Sequence, residues 1–184
     1  MAGPSNPALG GPSPSVDTPQ PTLTDLCKHG FSLIPCGPNK RPLLPSWKPY
    51  QSRRPTAEEL KKWERLHHPA CWAVVTGENS GVVVLDFDGN GGSATRKRLK
   101  LIPHVRTGSG GSHVYSQHPG WRVPTVNAKS KRELGQRYPG LDIRADGGYA
   151  ICLGRNAKGE YWWNVSFRWG CVTGPTSRWR GPLL

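Results

Sequence analysis

The run Val82-Val83-Val84-Leu85-Asp86-Phe87-Asp88 constrains this chain more than any other stretch. Four consecutive branched apolar residues favour extended backbone, and with no polar residue alternating among them they predict a strand covered on both faces. The chain must therefore supply layers above and below it. Two carboxylates close the run. Set two residues apart, Asp86 and Asp88 point to the same face of a strand, roughly 6.6 Å apart along the chain. Burying two like charges this close is costly unless a cation neutralises them, and hard divalent ions with oxygen ligands are the natural occupants. The plainer reading is a pair of exposed strand-end acids that cap a turn.

The segments around this strand are marked out by caps and breaks. Residues 1–21 are dominated by Pro, Gly, Ser and Ala, too poor in large apolar side chains to offset the entropy of ordering, and read as a disordered tail. A short helix follows with Thr22 or Thr24 as N-cap and Gly30 at its end, then a strand over 31–35. The Pro-rich, basic stretch 36–55 reads as an irregular surface loop. Thr56 stands three residues before Glu59, as in a capping box, and opens a helix through Leu66 with Leu60, Trp63 and Ala57 toward the core. Strands are predicted over 72–76 and 82–88, with turn chemistry between them at 77–81. Gly89-Asn90-Gly91-Gly92 breaks the second strand, and Ser93 caps a short helix carrying Arg96, Lys97, Arg98 and Lys100. Short β-like runs separated by Gly or Pro then recur at 105–107, 112–116, 141–144, 149–153 and 161–165. An early helix-strand part followed by a strand-rich part predicts an α+β fold. We expect one catalytic domain over 22–170, with mostly antiparallel sheets flanked by helices, and a basic tail or linker over 171–184.

Charge indicates which partners such a domain attracts. Lys and Arg number 25 against 12 Asp and Glu, a formal charge of +13. That field draws in polyanions such as nucleic acid, although a solvated basic surface has the same composition. The runs Arg96–Lys100 and Lys129–Arg132 are the candidate nucleic-acid contacts. Cys27, Cys36, Cys71, Cys152 and Cys171 show no CxxC pair and no closely spaced Cys/His set, which argues against structural zinc. Cys71 and Cys152 lie in apolar runs and read as small buried hydrophobes of a reducing compartment. No stretch is long and apolar enough for a bilayer span or a signal peptide, so we expect a soluble cytoplasmic protein with no membrane partner.

Two further segments carry chemistry. Arg106-Thr107-Gly108-Ser109-Gly110-Gly111-Ser112-His113 sets a glycine-rich turn ahead of a strand. Small residues let backbone N–H groups approach a phosphate, and Arg106, Ser112 and His113 add donors. A flexible hairpin with an incidental His explains the same residues, and no Gly-Lys-Ser/Thr follows to make a Walker loop. In Gly140-Leu141-Asp142-Ile143-Arg144-Ala145-Asp146-Gly147-Gly148-Tyr149, apolar Leu141 and Ile143 alternate with Asp142 and Arg144. A carboxylate there can complete a metal site, and Arg144 beside it can neutralise phosphate charge. Asp146, before two glycines, reads as a turn residue, and an ordinary half-exposed strand is the plainer account of the whole segment.

In this order and spacing the chain resembles the prim-pol domain of the archaeo-eukaryotic primase superfamily, the N-terminal catalytic module of many phage and plasmid replication proteins. The likeness spans most of Leu26 to Trp163. Besides the three elements above, it includes Gly30-Phe31 through Lys40-Arg41-Pro42, Trp47, the Thr-x-x-Glu-Leu-x-x-Trp helix at Thr56 to Trp63, and Val75-Thr76-Gly77. The resemblance implies that Asp86 and Asp88 are the metal-binding acidic pair, that Ser112 and His113 contact the incoming nucleotide's phosphates, and that Asp142 is the third acidic ligand. Where this family often has Pro-Pro-Ser after the Gly-Gly-Tyr strand, this chain has Cys152-Leu153-Gly154-Arg155. Such replication proteins commonly continue into helicase regions, so the chain reads as an isolated domain or fragment, with a helicase domain or subunit as partner.

The expected chemistry is a DNA primase and polymerase on a single-stranded DNA template. A 3′-hydroxyl attacks the α-phosphate of a nucleoside triphosphate, dNTP or NTP, with two Mg²⁺ or Mn²⁺ ions roughly 3.5–4 Å apart. The catalytic set is Asp86, Asp88, His113 and Asp142; the nucleotide set is Arg106, Ser112, His113 and Arg144. The setting would be phage or plasmid replication in a bacterial or archaeal host cytoplasm. Two rivals stand beside this. Asp86-Phe87-Asp88-Gly89 also resembles the opening motif of haloacid-dehalogenase-like phosphohydrolases, which usually have Thr where this chain has Asn90. Eight Trp with a basic surface also suit a non-catalytic single-stranded DNA-binding module.

Overall fold

The computed structural model describes residues 20–164. The expectations for residues 1–19, for the C-terminal tail, for Cys171 and for the end of the last predicted strand lie outside these residues. Helix α1 (Leu23–Lys28) is opened by a capping box in which Thr22 accepts from the Asp25 N–H and Asp25 reaches back to the Thr22 backbone. Strand β1 (Leu33–Cys36) follows, wholly buried. Helix α2 (Ala57–His67) starts at the predicted capping box of Thr56 and Glu59, burying Leu60 and Trp63. Ala57 is exposed, because it sits in the first turn away from that apolar stripe. Strands β2 (Cys71–Val75) and β3 (Val82–Phe87) flank a single 3₁₀ turn at Glu78–Ser80.

Helix α3 (Gly89–Arg98) is followed by β4 (Val105–Arg106), β5 (Ser112–Gln117), α4 (Arg132–Arg137) and β6 (Leu141–Arg144). The chain closes with β7 (Tyr149–Asn156), β8 (Gly159–Glu160) and β9 (Trp162–Trp163). Every strand pair is antiparallel, in one sheet ordered β1-β2-β7-β8 and another ordered β6-β3-β5-β4-β9. The fold is α+β.

Alternation along β3 explains how the sheets pack. Val82 and Val84, with Tyr115 and Trp163, join the core around the four-stranded sheet, while Val83, Leu85 and Phe87 join a second core on the other face. Tyr138, Leu141 and Ile143 line that second core, with Leu101 and Leu134 packed against it. β3 is thus buried on both faces, the origin of its unbroken apolar run. Cys36, Cys71 and Cys152 are free thiols buried in the first core.

Three local expectations change. Ser93 is not a helix cap: α3 begins four residues earlier, directly after Asp88. Its glycines do not break the structure there, because Gly92 packs so close to the Phe87 backbone and the Gly140 carbonyl that a Cβ would lie 2.7 and 2.8 Å from them. Tertiary contact outweighs helix propensity at this position. The 36–55 stretch is more than a surface loop, since it holds a 3₁₀ turn at Lys48–Gln51 with Tyr50 buried. Helix α4 was not expected; it has no side-chain cap and no buried residue, so it carries neither sequence signal of a helix.

The capping box of α2 yields a test. Arg53 donates to both Glu59 oxygens at 2.7 and 2.8 Å, and Tyr50 Oη donates to Oε1 at 2.8 Å. Led by the Arg53 hydrogen bond, these contacts hold the Glu59 carboxyl at about 2, below its ordinary 4.5. A depressed carboxyl stabilises the fold above its unfolded value and loses that contribution as pH falls through the folded one. Glu59→Gln is therefore expected to cost about 1 kcal/mol near neutrality, a small figure because the pair is near the surface. Thermal melts of both proteins between pH 5 and pH 2 should converge; a constant gap would exclude this source of acid sensitivity.

Candidate active site

The register of the five-stranded sheet sets one row of side chains across it. Asp86 lies opposite His113 on β5 and opposite Asp142 on β6. Directly opposed residues share a face, and the pleat repeats every second residue, so Asp88 and Arg144 belong to that face as well. It is the face that meets the four-stranded sheet. Between the sheets lies a cleft of about 300 Å³ lined by Asp86, Asp88, His113 and Arg144 from one side and Tyr149, Ala150 and Ile151 of β7 from the other. Lys40, Thr125, Gly147, Gly148 and Tyr161 complete the lining.

Asp86 is the most enclosed carboxylate of the group. His113 Nε2 stands 3.3 Å from its Oδ1, and Arg144 Nη2 stands 3.8 Å from its Oδ2. The His113 approach is near enough for charge but off the line of a hydrogen bond, so buried Oδ1 has no hydrogen-bond partner. His113 Nδ1, also buried, has none either. Burial alone would push the Asp86 carboxyl up; His113, Arg144 and Lys40 together outweigh it and hold it below the ordinary 3.8. Asp88 shifts the other way. Burial raises it first, and the neighbouring Asp86 charge raises it further.

Asp88 is also the N-cap of α3, where an Asp ordinarily turns its carboxylate onto the first helical amides. Here it makes no such bond, and its oxygens are left for the cleft. Its backbone is held from two sides. The Asp88 N–H donates to the Gly140 carbonyl at 2.8 Å, and the Gly92 N–H donates to the Asp88 carbonyl at 3.1 Å. Gly111 passes close by, where a Cβ would lie 2.6 Å from the Phe87 carbonyl oxygen and 3.0 Å from Asp88 Oδ1. The glycine-rich segment before β5 is thus a hairpin turn whose small residues admit the Asp88 side chain.

Asp142 accepts the Ala128 N–H at 2.9 Å on Oδ1 and Arg144 Nη2 at 2.8 Å on Oδ2, so both its oxygens are engaged. Asp146 lies away from the cleft lining, accepting the N–H groups of Val123 and Glu78 and facing His118 Nε2 at 3.2 Å. Ser112 pairs with Phe87 and with Arg106, so the pleat directs Ser112 and Arg106 to the opposite face from His113. Arg98 of the first basic run donates to the carbonyl of Arg137, which lies on α4 beyond the Lys129–Arg132 run, and both guanidinium groups lie 5.5 Å from the Tyr138 ring.

Sequence reasoning passed over Lys40, Tyr149 and Tyr161 as site residues. Lys40 and Tyr149 stand in segments of the family likeness and Tyr161 opens a predicted strand, but it takes the packing of two sheets to gather them.

Residues 23–173 match the Prim-Pol family, described as bifunctional DNA primase/polymerase, N-terminal. The chain belongs to this family. No curated protein matches it. A Prim-Pol domain is an enzyme of nucleotidyltransferase type that acts on DNA and nucleotides, and Prim-Pol enzymes generally use divalent metals. Among the described residues no three or more His, Cys, Asp or Glu side chains are grouped to hold a metal ion, and no helix is long and apolar enough to cross a membrane. The donors present still fit Mg²⁺, which is ordinarily held by one or two carboxylates plus substrate phosphates rather than by a full protein cage. Asp86 and Asp88 supply two such carboxylates. A cation would satisfy the Asp86 Oδ1 that lacks a hydrogen bond and would offset the burial and the Asp86 charge that raise Asp88.

Proposed function

We propose that this Prim-Pol domain makes and extends primers on single-stranded DNA in phage or plasmid replication, inside a bacterial or archaeal cell and alongside a helicase domain or subunit. The observation that carries the reading is the pairing of Asp86 with Asp88, turned into one cleft beside His113 and Arg144.

Asp86 and Asp88 would hold Mg²⁺ or Mn²⁺, which when bound would neutralise phosphate charge and activate the attacking 3′-hydroxyl. His113 and Arg144 fix the Asp86 carboxylate in its ionised form. Arg144 also presents a guanidinium to the nucleotide's phosphates, with Asp142 setting its position at 2.8 Å. We assign Asp142 to the acidic set through this contact, and contact with the phosphates to His113 and Arg144. Ser112 and Arg106 lie on the sheet's other face. The surface joining Arg98 and Arg137 on Tyr138 suits the template backbone, where phosphate contact depends on salt.

The test supplies labelled nucleotides, Mg²⁺ or Mn²⁺ and an unprimed single-stranded template. Oligomers are the expected product. Template-independent phosphate release from small phosphomonoesters would instead select the phosphohydrolase reading. Template binding without incorporation would select the binding module.

A further inference from the structure

We propose that Lys40 reads the triphosphate of the incoming nucleotide, so that the substrate is held between the two sheets. This rests on the nucleotide site proposed above and adds the residue that selects its charged end.

Lys40 lies in the loop after β1, which is closed by its own N–H on the Gly37 carbonyl and by the Gly37 N–H on the Arg41 carbonyl, each at 2.9 Å. The Tyr149 hydroxyl donates to the Lys40 carbonyl at 3.4 Å. In this frame Lys40 has φ +67°, the left-handed region in which a side chain with a Cβ is disfavoured. Closing the turn calls for glycine. Glycine would adopt this backbone with less strain, and the lysine found there instead sends its side chain into the cleft.

That side chain lines the cleft, with Nζ 5.9 Å from the Tyr161 ring centroid. Its charge acts on both Asp86 and Asp88, yet no ion pair among the described residues includes it. An ammonium has three donors and accepts nothing, so a cleft holding it has room for an anion. The two carboxylates would repel that anion unless it arrives with a cation. A polyphosphate bound to a divalent ion meets both conditions: the ion faces Asp86 and Asp88, and the outer phosphates face Lys40. A monophosphate offers a single phosphate to the ion and the ammonium together, whereas a triphosphate offers separate ones, so under this proposal the lysine discriminates by the length of the phosphate chain.

The experiment is isothermal titration of the full chain with a nucleoside triphosphate and with the matching monophosphate, in Ca²⁺ to hold the complex without turnover. The wild type should prefer the triphosphate. Lys40→Gly should lose at least tenfold of that preference while melting no lower than the wild type, because glycine accepts the left-handed backbone. Lys40→Arg should keep most of the preference. An unchanged preference in Lys40→Gly overturns the proposal, as does a loss accompanied by a lower melting temperature. A wild type that binds both nucleotides equally overturns the nucleotide site itself, and is read from the wild-type titration alone.

Discussion

Asp86→Ala/Asp88→Ala should abolish primer synthesis, by at least about a thousandfold, or roughly 4 kcal/mol of barrier. The loss follows from removing the two carboxylates that line the cleft: Asp142 and Asp146 are not among its lining residues, Asp142 holding the Ala128 N–H and Arg144, and Asp146 holding backbone N–H groups and His118. Stability should respond differently at the two positions. Asp88 is raised above its ordinary value, so its ionisation opposes folding at neutral pH, and Asp88→Asn should melt at the same temperature as the wild type or higher. Asp86 is held below its ordinary value, so its charge favours the fold above that value, and Asp86→Asn should melt lower. Labelled-nucleotide incorporation on an unprimed template, with melting curves of each single variant, separates the two effects. Equal product from the wild type and the double variant would remove the site.

Gly140→Ala is expected to be the most damaging single methyl group in the described chain. At φ +72°, its Cβ would lie 2.3 Å from the Gly92 nitrogen and 2.5 Å from the Asp88 carbonyl oxygen. Both are backbone atoms that cannot swing aside. Strain in the left-handed region plus overpacking should cost on the order of 4 kcal/mol, a large share of the stability of a domain this size. The shift would also disturb the hydrogen bond that seats Asp88 on Gly140. Gly81 offers the comparison, with φ +65° and open space where its Cβ would point, so Gly81→Ala should cost only about 1 kcal/mol. Urea unfolding of the two variants decides it: equal losses would mean that backbone conformation alone, and not the meeting of α3 with the β6 approach, sets the cost.

Much of the architecture was legible because local chemistry and tertiary demand agree. The capping boxes at Thr22 and Thr56, the buried β3 run and the alternation in Leu141–Arg144 each give a pattern and the same element in space. Where the two disagree, the pattern misleads. Gly89 to Gly92 read as a break because glycine weakens helices, yet the close approach of Gly92 to Gly140 admits nothing larger. In α4 there is no apolar stripe to detect.

The site divides the same way. That Asp86 and Asp88 share a face follows from the two-residue period of a strand, which is a property of the chain alone. The same period separates Ser112 from His113. The placing of His113 and Asp142 on either side of Asp86 and the arrival of Lys40 and Tyr161 across the cleft depend on register and on one sheet packing against another. Those are long-range pairings between segments far apart in the chain. Residue order specifies what each segment can do; only the folded sheets decide which segments meet.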